Sequence, residues 1–139
     1  MSEVKTDKLT GVGTANDITV TVGATATAKL EQGLAKVWGN IDGTGTIALR
    51  DSFNLSSLTD DGTGAYDTSF TNSFNNTTYA ALGEAKENTS SARTSDVDRV
   101  FNPARLVFTT STCAWLAQTY AGSDQDVEEA FPLLLGDLA

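Results

Sequence analysis

The chain has 139 residues with 9 Lys+Arg against 18 Asp+Glu, a formal net charge of −9, and its length bounds it to one domain with room for little more than an appended arm. It holds no His and one Cys, Cys113, which excludes Ser-His-Asp and Cys-His catalysis, zinc sites of the His/Cys type and any intrachain disulfide. No apolar run approaches the roughly 20 residues needed to cross a bilayer, and the first residues lack the pattern of a signal peptide, so neither membrane insertion nor secretory export is expected.

Threonine is the commonest residue, while Lys, Glu and Gln, the usual fillers of exposed helix faces, are scarce; this is a β composition. Residues 1–50 hold five acids and five bases and residues 51–139 hold thirteen and four, so all nine excess negatives fall in the second part. Such a surface repels nucleic acid phosphates, and no nucleic-acid partner is expected.

Residues 1–33 contain no aromatic side chain, yet Asp17-Ile18-Thr19-Val20-Thr21-Val22 alternates as a thin strand with nothing of its own to pack on. After Gly23, Ala24 to Leu30 continues the alternation with Thr on one face and Ala on the other, a pattern suited to close approach of another chain. An arm ordered by its partners is one reading, and a disordered tail is the other.

From Leu34 onward, short strands and turns follow one another. Ala35, Val37, Gly39 and Ile41 share one strand face and Lys36, Trp38 and Asn40 the other, and Asp42-Gly43-Thr44-Gly45 is a hairpin turn leading to Ile47 and Leu49. Phe53, Leu55 and Leu58 run into the turn Thr59 to Gly64, and Tyr66, Thr68 and Phe70 return, which predicts a meander. Tyr79, Ala81, Gly83 and Ala85 form the next strand, and Lys86 to Asp96 reads as a mobile loop. Leu106 and Phe108 begin another strand. Cys113, Trp115, Ala117 and Thr119 then alternate against Ala114, Leu116, Gln118 and Tyr120, making Cys113 a small buried hydrophobe and not a nucleophile. The last strand sets Val127, Glu129, Phe131, Leu133 and Leu135 on one face around Pro132, which points to a sheet edge or to a place needing no backbone donor. Together these elements predict an all-β protein, a sandwich or small barrel.

Over Leu34-Ala35-Lys36-Val37-Trp38-Gly39-Asn40-Ile41-Asp42-Gly43-Thr44-Gly45-Thr46, then Arg50, Ser52-Phe53-Asn54, Ser56-Ser57, Thr59-Asp60, Gly62-Thr63-Gly64, Tyr66 and Phe70, the chain resembles a β-rich module of tailed-bacteriophage structural proteins. The close in Leu135-Gly136-Asp137 and the front, Thr6 to Gly11 with Ile18-Thr19-Val20, are similar to the same module's flanks. The resemblance implies a virion protein assembled in the bacterial host cytoplasm: a fibre, appendage or decoration protein, trimeric and without enzymatic activity.

Several groups were candidates for chemistry. Asp124, Asp126, Glu128 and Glu129 could bind a hard cation, but they lack the Gly-bearing turn and terminal Glu of an EF-hand, which favours a solvated acidic loop. Asp60 and Asp61 are explained by their turn, and nothing fixes a glycosidase-like spacing on Asp51 and Asp67. Gly43-Thr44-Gly45 and Gly62-Thr63-Gly64 lack the helix of a phosphate loop. Arg93, Arg99 and Arg105 cluster in a loop region and are expected to pair with acids. Trp38, Trp115, Tyr66, Tyr79 and Tyr120 can stack on sugar rings or fill a core.

The expectation is therefore an arm over 1–33 and an antiparallel β-sandwich, jelly-roll-like, over 34–139. Leu9, Ile18, Val20 and Val22 are the anchoring residues of the arm, and Trp38, Trp115, Phe53 and Phe70 pack the core or a subunit contact. A homotrimer with other virion proteins as partners, no metal and no cofactor is expected. The alternative is a host-facing module that binds surface glycans.

Overall fold

Alternation and turn chemistry set the strands, and a computed structural model describes residues 6–10, 18–22, 25–86, 99–103, 108–119 and 121–139. Two units divide the chain, Met1–Leu34 and Ala35–Ala139. In the first, β1 (Thr19–Val22) pairs antiparallel with β2 (Ala26–Lys29), and a 3-10 turn follows at Leu30–Gly33. The arm expected as a thin strand is thus a two-stranded hairpin, because the alternation on either side of residues 23–24 folds back on itself. Leu9, Val20 and Leu30 are exposed and Ile18 is half-buried.

The second unit is an antiparallel β-sandwich, as the alternation predicts, of two four-stranded sheets with the first and last strands side by side. Its strands are β3 (Val37–Asp42), β4 (Ala48–Phe53), β5 (Leu55–Gly62), β6 (Ala65–Phe70), β7 (Ala80–Lys86), β8 (Arg99–Asn102), β9 (Thr112–Thr119) and β10 (Glu129–Leu135). The front sheet runs β4-β3-β10-β7 and the back sheet β5-β6-β9-β8. Val37, Ile41, Ala130 and Leu134 of the front sheet meet Tyr66, Thr68, Phe70, Phe101, Cys113, Trp115 and Ala117 of the back sheet in one buried core. Among the described residues no helix is long and apolar enough to cross a membrane.

The β3–β4 and β5–β6 hairpins lie where the turns place them, but they do not continue one meander. At Asn54 the chain leaves the front sheet for the back one, with φ of 61°. Asn is among the side-chain-bearing residues that most readily adopt this left-handed conformation, and its amide here ties segments 18 residues away on either side. Its Nδ2 donates to the Lys36 and Asn72 carbonyls at 3.0 and 3.1 Å, and its Oδ1 accepts from the Asn72 backbone N–H at 2.7 Å. The apolar pattern runs unbroken from Phe53 to Leu55, so nothing in the hydrophobic periodicity marks the switch.

Three further expectations are corrected. Arg99–Asn102, read as loop, is strand β8, and its Phe101 is 1% exposed. Phe108 lies outside any strand, while Leu106, Arg93, Arg105, Tyr120 and the loop segment 87–96 lie outside the described residues. In β10 the buried face is Ala130, Pro132 and Leu134; Glu129, Phe131, Leu133 and Leu135 share the outward face as grouped, with Leu133 exposed, but Val127 does not belong with them. Val127 is buried in the loop before the strand, where period two does not yet apply. Pro132 is not at an edge, since β10 lies between β3 and β7; the β3 ladder pairs Ala130 with Ile41 and Leu133 with Trp38 and skips the proline between. The second option for this proline, a place that needs no donor, is the one realised.

Candidate functional site

The carboxylates considered for chemistry are mostly engaged in holding the fold. Asp126 accepts the Gly64 backbone N–H at 2.7 Å and lies 3.4 Å from the Tyr66 hydroxyl, tying the β9–β10 loop to the β5–β6 turn. Gly64 has φ of +69°, and a Cβ there would come 2.5 Å from the Ala117 carbonyl oxygen, so glycine is required at this junction. Asp124 accepts from the Gln118 amide at 2.9 Å. Glu129 accepts from Lys86 Nζ at 3.0 Å and from Arg50 at 3.4 Å, and Arg50 also donates to Asp42 at 2.7 Å. The Thr44 hydroxyl and backbone N–H, and secondarily Arg50, hold the Asp42 carboxyl below its ordinary value. Among the described residues no group of three or more acids, Cys or His could hold a metal ion. Asp51 accepts its own neighbour's N–H from Ser52, and Asp60, in β5 and not in the turn the sequence suggests, accepts the Gly62 N–H at a register shift of that strand.

The aromatic candidates divide sharply. Trp115 is 1% exposed, stacks on Phe101 at 4.9 Å, and donates its indole N–H to Thr68 Oγ1 at 2.9 Å. Tyr66 and Tyr79 are buried, with hydroxyls donating to the Gly43 carbonyl and to the Thr109 and Thr112 carbonyls respectively. Burial pushes the Tyr66 hydroxyl up to about 12 and the Cys113 thiol up to about 12, so neither titrates near neutrality. Phe70 is buried against Phe74 and Tyr79. Trp38 and Phe53, grouped with these at the outset, point outward instead, at 38% and 50% exposure.

Their neighbours make the outward pair informative. In the front sheet Phe53 is the cross-strand partner of Trp38, Trp38 of Leu133, and Leu133 of Leu82. Leu133 and Leu82 are also exposed, so four large apolar side chains form a row across all four strands of the sheet. Phe131 and Leu135 stand half-buried on the same face, to either side of Leu133. Asn40 also belongs to this face, and its Oδ1 is buried without a hydrogen-bond partner. The charged set Arg50, Asp42, Glu129 and Lys86 closes one end.

Sequence reasoning identified Trp38 and Phe53 but not Leu82 or Leu133. The missing signal was the strand order, which places β10 between β3 and β7. The outward side of the back sheet differs: Ala65, Asp67, Ala114, Leu116 and Gln118 are small, polar or half-buried. At one end of it a shallow groove of about 440 Å³ is lined by Asp61, Gly62, Thr63, Ala65, Leu116, Gln118 and Asp124.

No protein-family model, curated protein or solved structure matches the chain.

Proposed function

We propose that the chain is a structural, non-enzymatic protein of a tailed-phage particle, a homotrimeric fibre, appendage or decoration protein held by its arm. The observation that carries this reading is the exposed apolar row Phe53, Trp38, Leu133 and Leu82 across the front sheet. Exposed contiguous apolar patches of this kind favour protein contacts over chemistry. The phage assignment rests on the likeness of residues 34–70, the stretch that carries strands β3 through β6. In the arm, the two-stranded hairpin is marginal by itself and gains order from neighbouring chains. Leu9, Ile18, Val20 and Val22 are proposed as its anchoring residues.

The glycan alternative keeps only Trp38 among the described stacking candidates. That ring stands between two large apolar side chains, Phe53 and Leu133, a setting that favours a protein contact over a sugar.

Two results are expected. Purified particles analysed by mass spectrometry contain the chain, and a variant lacking residues 1–30 folds as a soluble β protein that is missing from them. Particles without the chain overturn the virion reading; normal incorporation of the truncated form overturns attachment through the arm.

A further inference from the structure

We infer that the outward face of the front sheet is the surface on which a second copy of this chain packs, with Phe53, Trp38, Leu133 and Leu82 at the centre of the contact. The inference deepens the assembly reading above and rests on it for the existence of an oligomer.

Charge selects the occupant. This face carries Arg50 and Lys86 against Asp42, Asp51, Glu84 and Glu129, a balance of 2 − 4 = −2, while Lys36 next to it is buried. The other described residues of the sandwich carry Arg99 against Asp60, Asp61, Asp67, Asp124, Asp126, Glu128 and Asp137, a balance of 1 − 7 = −6. Two copies of a chain with net charge −9 repel through their acidic sides, and the front face is where they approach with least cost. Its edges also mix signs: Arg50 adjoins Asp51 on β4, and Lys86 stands two residues from Glu84 on β7. An acid of one copy can therefore meet a base of the other, and this pattern favours self-pairing over an anionic lipid surface.

Area sets the strength. Four strands about 4.8 Å apart and roughly seven residues long at 3.3 Å each give a plan area on the order of 400 Å² per copy. A standard interface covers about 800 Å² per partner, so this face makes a contact at the small end, one that dissociates on dilution. The row supplies its apolar centre and the charged ends its rim.

The test is the mass of the full chain in solution, by light scattering over a concentration series, for the parent and three variants. Phe53→Glu combined with Leu82→Glu places charge at both ends of the row, on side chains already half in solvent. Phe53→Ala combined with Leu82→Ala trims the same positions and is the milder version. Thr59→Glu adds charge to an exposed position of the back sheet and is the control. The parent is expected to be an oligomer, the Glu pair a monomer with an unchanged thermal melt, the Ala pair at least tenfold weaker in association, and Thr59→Glu like the parent. A monomeric parent at ~100 µM, or an oligomer that both double variants leave intact, overturns the inference. An oligomer that survives the variants while the chain is still found in particles leaves the virion reading standing. A dimer dissolved by the variants keeps this face and overturns the threefold count.

Discussion

The indole of Trp115 lies 3° from parallel with the Phe101 ring, and its N–H finds Thr68, whose own hydroxyl donates to the Cys113 carbonyl at 3.0 Å. A large ring and its one polar atom are thereby satisfied together in the centre of the core. Trp115→Ala removes the stack and leaves a cavity, and is expected to cost about 3 to 5 kcal/mol in urea unfolding, a large share of a typical domain's stability. Thr68→Val keeps the volume but leaves the indole N–H unpaired, for a loss of about 1 to 3 kcal/mol. Equal stability of Trp115→Ala and the parent would show that the ring does not fill the core. Trp38 is the same residue type with the opposite exposure, so its removal acts on assembly and less on folding.

Between elements, the inner face of the front sheet contains a row with little bulk: Pro132 is paired with Gly83 in β7 and faces Gly39 in β3. The Phe101–Trp115 stack and Leu55 of the back sheet press into this space. At Gly83 a Cβ would come 2.5 Å from the Phe101 carbonyl oxygen and 3.1 Å from the Trp115 ring. A backbone oxygen cannot yield as a side-chain end can. Gly83→Ala is therefore predicted to push β7 and β8 apart and to destabilise by about 1 to 3 kcal/mol, read as a lower melting temperature. Gly39→Ala is the comparison, because its nearest obstacle at 2.8 Å is the movable end of Leu55, and it should cost less. A larger loss at Gly39 than at Gly83 would contradict this account.

For the molecule as a whole, the buried titratable groups make stability fall at high pH. Burial raises the Cys113 thiol from 9.0 and the Tyr66 hydroxyl from 10.0, each to about 12, and raises the Tyr79 hydroxyl as well. Between the unfolded and folded values the native state holds more protons than the unfolded chain, so unfolding becomes easier with rising pH. The contribution is complete below pH 9, begins to be lost there through Cys113 and from pH 10 through the tyrosines, and is gone once the folded values are passed. Urea midpoints should be level from about pH 7 to 8.5 and decline above about pH 9. Tyr66→Phe should flatten part of that decline, and a midpoint constant to about pH 11.5 would contradict the burial of these groups.

The sequence by itself determined the β class, the alternation of β3, β6 and β9, the turn at Asp42–Gly45 and the inert setting of Cys113, because period two and turn chemistry are local; the second turn was read as Thr59 to Gly64, of which Thr59–Gly62 is the end of β5. It could not find β8, whose Arg99–Asn102 offers only four residues with a single large ring, nor the inward face of β10. The candidate surface was half legible. Trp38 and Phe53 stood out as large rings bound for the core or a subunit contact, but which face of each strand turned outward was not legible. Leu82 and Leu133 became its companions only through tertiary structure, since residues 38, 53, 82 and 133 meet by cross-strand register and not by spacing along the chain.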